Sequence, residues 1–263
     1  MSINIAKAFT FMFKENNWLV KILIGSVLFF FIKIFQFAID TARTNFFSPA
    51  DILSSFSSPN LPDAITPIAV IIGLIAMITA CIWMLATALG YVVTTLGNFT
   101  KDETPMPDWD GSIGAYFSRG LKILVAQTVI LSGIALFIYG AQILIGMLLF
   151  MSPFFAMISI VLCIAIILYI LYLFPALLLS FCKYYRFIDA INLVNAKRIS
   201  TKSTRNYVLA IFLLIAITLL TTVIITIFFQ MKIGILVLPP VCFYLLIAKL
   251  NIIGQYYNSY LKD

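Results

Sequence analysis

The sequence predicts an all-α, polytopic integral membrane protein: six transmembrane helices, with interfacial amphipathic helices at the N-terminus and between spans four and five. Three observations carry this reading. Of the 263 residues, 63% are hydrophobic and only 10% are charged, where an ordinary soluble domain carries about 25% charged residues. The mean hydropathy is +1.10. Third, the basic residues flank long apolar runs rather than interrupting them. A soluble globule of this size would expose far too much apolar surface, which excludes a soluble enzyme, a nucleic-acid-binding domain and a disordered chain. The net charge of +7 then concerns topology and anionic lipid, not nucleic acid.

Residues 3–14 place Ile5, Phe9, Met12 and Phe13 on one helical face. The stretch is too short to span, so an interfacial amphipathic helix is expected, followed by Trp18 as an interfacial anchor. Span one covers residues 18–39. Its Lys33 lies about 22 Å along the helix from Trp18, close enough to the far headgroups to snorkel. No small-x-small cleavage site follows this apolar segment, so no cleavable leader is expected. Residues 40–66 form a Ser/Pro-rich outer loop, in which Ser48-Pro49-Ala50-Asp51 has the chemistry of a helix start. Thr66-Pro67 and Ser152-Pro153 repeat that device before long apolar runs.

Span two falls at 67–97. Residues 123–182 carry no charge and are about twice as long as the ~20–25 residues one helix needs. They divide at Ser152-Pro153 into span three (123–150) and span four (153–182), the latter kinked at Pro175. A basic segment, 183–205, leads to span five (206–230) and span six (233–253), which Pro239-Pro240 interrupts. The whole chain, 1–263, is one membrane domain. Of the 17 Lys and Arg residues, all but Lys33, Arg43 and Lys232 fall on one side. By the positive-inside rule both termini are cytoplasmic and the protein is a multi-pass protein of the cell membrane.

The chain has no histidine, which removes the commonest general base and metal ligand. Cys81, Cys163, Cys182 and Cys242 stand singly in or beside apolar runs, as small core hydrophobes. No metal and no cofactor is implied, and no enzyme is expected. The remaining catalytic arrangement pairs Asp108 or Asp110 with Lys101 or Arg119, but Asp102, Glu103, Asp108 and Asp110 also read as a solvated loop.

Two readings fit the basic residues Lys183, Arg186, Lys197, Arg198, Lys202 and Arg205: contact with anionic lipid or an acidic partner, and a topology determinant without a ligand. Here Phe187, Ile191 and Val194 recur at i, i+4 and i+7, the pattern of an interfacial helix. In the loop Pro107, Asp108, Trp109 and Asp110, the indole is expected to anchor at the interface, with Pro105 and Pro107 as stiffeners. Gln127 and Gln142 share one side of span three, as a polar pathway or as helix–helix hydrogen bonds. Ala69, Gly73, Ala76 and Ala80, with Ala86 and Gly90, give span two a face for close packing.

Four stretches together resemble a bacterial and archaeal membrane family called domain of unknown function 4013. They are Phe13-Lys14-Glu15-Asn16-Asn17-Trp18-Leu19-Val20-Lys21 with the following Ile-Leu-Ile-Gly, Pro107-Asp108-Trp109-Asp110 with Gly120-Leu121-Lys122, Tyr184–Arg198 with Arg205-Asn206-Tyr207, and Gly254-Gln255-Tyr256-Tyr257. The loop acid is Asp108 where the family more often has Glu, and residues 40–66 match none of its features. The resemblance implies the six-helix plan, a bacterial or archaeal cytoplasmic (inner) membrane location, and no activity.

The functional expectation is a non-enzymatic protein that assembles with itself, as a homo-oligomer, or with an unidentified membrane partner, through the cytoplasmic loops 98–120 and 183–205. The alternative is a transporter or lipid-handling protein with a cavity between helices broken at Pro175 and Pro239-Pro240.

Overall fold

The computed structural model describes residues 3–15, 17–27, 61–101, 106–109, 112–229 and 234–260, and their regular structure is entirely helical. Helix α1 (Ile5–Thr10) runs into a 3-10 turn, Phe11–Lys14, and α2 covers Trp18–Val27. Then come α3 (Leu61–Lys101), α4 (Ile113–Met151), α5 (Pro153–Tyr184), the short α6 (Phe187–Ile191) and α7 (Leu193–Lys202), α8 (Thr204–Phe229) and α9 (Gly234–Tyr260). Five of these, α3, α4, α5, α8 and α9, are long and apolar enough to cross a membrane. They match expected spans two to six. Helix α2 begins the expected first span, whose residues 28–39 lie outside the described residues, as do 40–60 with the Ser48–Asp51 helix start.

Three expectations change. Helix α3 starts at Leu61 rather than at residue 67, so the loop read as 40–66 ends earlier. The sequence Leu61-Pro62-Asp63 explains it, since Pro in a first turn lacks an N–H that would be unpaired anyway. Helix α9 continues through Pro239 and Pro240. The single interfacial helix expected in the basic segment is two, because Asn192 leaves helical geometry (φ −80°, ψ 91°) and caps α7. Its Oδ1 accepts the Asn195 N–H at 3.0 Å, the standard role of Asn at an N-cap.

The core sits at one end of the bundle, the end that holds the basic residues. In α3 the buried apolar side chains run from Ala86 to Phe99, in α5, apart from Ala156, from Leu173 to Cys182, and in α9 from Phe243 to Tyr256. Elsewhere α4, α5 and α8 expose apolar residues such as Leu136, Val161 and Leu219. Lipid solvates such faces as well as another helix would, so they cost nothing in a bilayer. The uncharged part of α4, Ile123–Met151, is about 43 Å long at ~1.5 Å per residue, against a hydrocarbon core about 30 Å thick. Tilt accommodates such an excess. Threonine hydroxyls within the spans bond to their own helix: Thr87, Thr128 and Thr218 each donate to the carbonyl four residues back, at 2.7–2.9 Å.

Helices α3 and α4 make the closest crossing. A Cβ on Gly90 would overlap the Tyr116 carbonyl, and one on Gly120 would overlap the Ala86 carbonyl. The packing face expected on α3 is thus used at Ala86 and Gly90, but not at Gly73, Ala76 or Ala80, which are exposed. Between α5 and α8 the contact is a hydrogen bond. Pro175 interrupts the α5 ladder, and the Tyr207 hydroxyl accepts from the Ala176 N–H (3.2 Å) and donates to the Tyr172 carbonyl (2.8 Å). These two groups are i and i−4 partners in a helix ladder, and Tyr207 bonds to both of them from α8.

Helix α1 docks on α9, and the face read from the sequence is divided: Met12 and Phe9 pack against the core, Ile5 and Phe13 do not. Ala8, Phe11 and Met12 are buried, whereas Ile5 and Phe13 are exposed. The Asn4 N–H donates to Gln255 Oε1 (2.7 Å), Gln255 Nε2 returns a bond to the Asn4 carbonyl (3.1 Å), and the Tyr244 hydroxyl donates to the Phe9 carbonyl (2.7 Å). The beginning of the described chain and the end of α9 therefore share the basic end.

Two substitutions test this packing. Gly90→Val meets backbone that cannot yield, and should lower the thermal unfolding midpoint in detergent more than Gly73→Val, whose site is open. Tyr207→Phe removes both bonds from a buried site and should cost about 1–3 kcal/mol, read in the same melt.

Candidate functional site

Two polar constellations occupy the basic end. The first is a clamp around Lys21. The chain turns at Asn17 with φ 61°, a left-handed conformation that Asn tolerates, and this brings Glu15 back beside Lys21. Lys21 Nζ lies 3.3 Å from Glu15 Oε2 and 2.9 Å from Asp108 Oδ1, and donates to the Met106 carbonyl at 2.7 Å. Glu15 Oε1 accepts the Met106 N–H at 2.8 Å. The loop before α4 is thus tied to the N-terminal segment by both backbone groups of Met106 and by Asp108.

Trp109 completes the clamp. Its ring stacks on Tyr91 at 3.9 Å between centroids and 3° between planes, and its indole N–H donates to the Lys21 carbonyl at 3.3 Å. The Tyr116 hydroxyl donates to the Asp108 carbonyl at 2.6 Å. Trp109 therefore packs inside the fold, where the sequence suggested an interfacial anchor, because α3 presents the flat face of Tyr91 at that point. The Tyr91 hydroxyl is buried without a hydrogen-bond partner among the described residues.

Arg119 is occupied elsewhere. Its Nη1 donates to Thr94 Oγ1 at 2.9 Å, and its guanidinium lies 4.3 Å from the Tyr185 ring centroid. Tyr185 ends α5 in a left-handed conformation (φ 52°), costing a non-glycine residue about 1–2 kcal/mol. The cation–π contact, worth about 0.5–2 kcal/mol, offsets that. The conceivable Asp108–Arg119 pair is absent, since Asp108 faces Lys21. Asp102, Glu103, Pro105 and Asp110 lie outside the described residues.

The second constellation is a cavity of about 600 Å³. The end of α5 supplies Leu179, Ser180, Lys183 and Tyr184; α6 supplies Asp189; α7 supplies Asn195, Arg198, Ile199 and Lys202; α9 supplies Tyr257. Positions 195, 198, 199 and 202 fall at i, i+3, i+4 and i+7, one face of α7. That face is held towards the bundle by Ala196 and Ser200, both buried, and by the Tyr256 hydroxyl, which donates to the Ile199 carbonyl at 2.9 Å. Asp189 Oδ2 is buried and has no hydrogen-bond partner among the described residues.

Of the six basic candidates, Lys183, Arg198 and Lys202 line this cavity; Lys197, Arg205 and Arg186 do not. The Arg186 guanidinium instead sits 5.6 Å from the Tyr184 ring centroid. Phe187 and Ile191 are half-buried against the core, whereas Val194 is 78% exposed, so the expected apolar stripe is split by the break at Asn192. In α4, Gln127 is half-buried and Gln142 exposed. Sequence reasoning missed Glu15, Lys21 and Tyr91 as a clamp, and Asp189, Asn195 and Tyr257 as cavity residues. Of these only Asn195 carried a local signal, the shared spacing with Arg198 and Lys202.

Long apolar helices with polar side chains gathered at one end define an all-helical, multi-pass membrane protein. The chain belongs to the family of proteins of unknown function designated DUF4013, whose model matches residues 71–230. The motifs at 13–25 and 254–257 fall outside the matched residues, yet the structure joins them to it: the first through Lys21 and Asp108, the second through Gly254 against Phe99. No curated protein and no solved structure matches the chain.

The clamp separates its members by burial. The Glu15 and Lys21 side chains are 12% and 13% exposed, the Asp108 side chain 78%. Glu15→Gln should lower the unfolding midpoint clearly, whereas Asp108→Asn should act like loss of a surface pair, worth about 0–1 kcal/mol. Tyr91→Phe keeps the stack and removes an unpartnered hydroxyl, so it should be neutral or stabilising, while Tyr91→Ala should not. Thermal melts of the four variants in one detergent make the comparison.

Proposed function

We propose that this protein is a non-enzymatic, multi-pass membrane protein that binds phospholipid at the cytoplasmic leaflet, with the basic cavity as its headgroup site. The observation that carries the reading is the convergence of Lys183, Arg198 and Lys202 on one cavity at the end of a spanning helix. Helix α5 ends there, at the depth where an apolar span meets headgroups. On the helices that line the cavity, Tyr184, Ile188, Leu193 and Val194 expose apolar surface suited to the headgroup–acyl boundary. Three cations near a lipid phosphate contribute roughly 1 kcal/mol each.

Lipid binding is favoured over assembly through the loops because Asp108 and Trp109, central to the first loop, are engaged within the chain. It is favoured over transport because Gln127 is half-buried and Gln142 exposed, so the two do not share one environment. The orientation adopted, basic end inward, follows from the bias of Lys and Arg.

Native mass spectrometry of protein released from its own membranes should find a retained phospholipid. The variant carrying Lys183→Ala, Arg198→Ala and Lys202→Ala should bind it on the order of 100-fold more weakly, about 3 kcal/mol. Lys197→Ala with Arg205→Ala should retain it. Equal loss from both variants would contradict a defined site.

A further inference from the structure

The basic residues of the cavity account for an anion, but they do not account for Asp189. Its Oδ2 is buried and unpartnered, although Lys183, Arg198 and Lys202 line the same cavity. Among the described residues no cation lies within ion-pair distance of it. A carboxylate oxygen withdrawn from solvent without a donor is an unfavourable arrangement. A carboxylate is also a poor lining for a site that takes only phosphate, since like charges repel. Both facts are reconciled by a ligand that carries a hydrogen-bonding cation together with its phosphate.

Building on the phospholipid reading of the same cavity, we infer that the headgroup it takes bears a primary ammonium as well as a phosphate, as in phosphatidylethanolamine. The phosphate lies among Lys183, Arg198 and Lys202. The ammonium, two carbons further on, donates N–H to Asp189 Oδ2. Arg198 and Lys202 stand one turn apart on α7, where they present a paired cationic face to phosphate oxygens. Asp189 comes from the separate helix α6, so the two charges of the ligand meet two different elements. Leu179 and Ile199 supply apolar lining where the glycerol backbone and first methylenes would lie. A choline headgroup has the same net charge and the same phosphate, but its quaternary nitrogen has no N–H to give, and Oδ2 would stay unsatisfied.

The test uses the intact purified chain in mild detergent with lipids of identical acyl chains. Retention is measured by native mass spectrometry for phosphatidylethanolamine, its N-methyl and N,N-dimethyl derivatives, phosphatidylcholine and phosphatidylglycerol. For the wild-type chain the inference predicts retention of phosphatidylethanolamine over phosphatidylcholine by on the order of tenfold, with a sharp fall at loss of the last N–H. Asp189→Asn should erase that preference while holding phosphatidylglycerol at least as well as wild type. Equal retention of the ethanolamine and choline lipids overturns the inference and leaves the phospholipid reading standing. Retention of every lipid no better than by the triple cavity variant overturns that reading as well. Displacement of the lipid by an equal concentration of soluble phosphoethanolamine overturns the assignment to a lipid, because the apolar lining would then contribute nothing.

Discussion

The backbone contact between α3 and α4 sets the spacing of everything else at the basic end. Inside a bilayer apolar surface alone gives helices little reason to associate, so association rests on close packing and hydrogen bonds. Here the approach is closest at Gly90 against Tyr116 and Gly120 against Ala86, where a larger residue in either position would force the axes apart. Because the two helices touch, Tyr91 meets Trp109 face to face and Arg119 reaches Thr94. The loop between them can then close on Lys21, and the N-terminal segment is held against the same surface through α9. Away from this end the helices need no protein neighbours, since lipid replaces them.

The cavity is a product of that same organisation. Tyr185 turns the chain out of α5 while its ring covers Arg119, and the turn delivers α6 and α7 alongside the helix they have just left. Asn192 divides them, which lets α6 aim Asp189 and α7 aim Arg198 and Lys202 at one space. Tyr256 holds α7 from the side of α9. A single continuous basic helix would have spread its cations around its circumference along the surface. Two short helices bring two of them and one acid to the Lys183 end of a spanning helix.

What the sequence made legible is what depends on local composition. Span positions follow from apolar length, and the Ser152-Pro153 boundary falls where the structure breaks. The start of α3 at Leu61 was missed because Leu61-Pro62-Asp63 competes with Thr66-Pro67 as a start, and composition does not choose between them. Of the N-terminal face read from the sequence, Ile5 and Phe13 are exposed while Met12 is buried beside Ala8 and Phe11, because docking on α9, not partition into lipid, selects the covered side. Trp109 had the look of an interfacial anchor, and only the distant Tyr91 gives it another place. Of the basic cluster, the α7 stripe was readable from spacing, but Lys183, Asp189 and Tyr257 come from other helices. The family-like stretches at both ends and in the loop meet at one end of the bundle, and that convergence is visible only in three dimensions.

The central claim is that the basic end of this protein is built around a phospholipid headgroup, and an experimental structure in nanodiscs of its native lipids tests it most directly. The account predicts headgroup density in the cavity between α5 and α7, with phosphate oxygens within hydrogen-bond distance of Arg198 or Lys202 and acyl chains leaving past Leu179 and Ile199. A cavity holding only water, or closed by the side chains of Lys183, Arg198 and Lys202 turning onto Asp189, would contradict it.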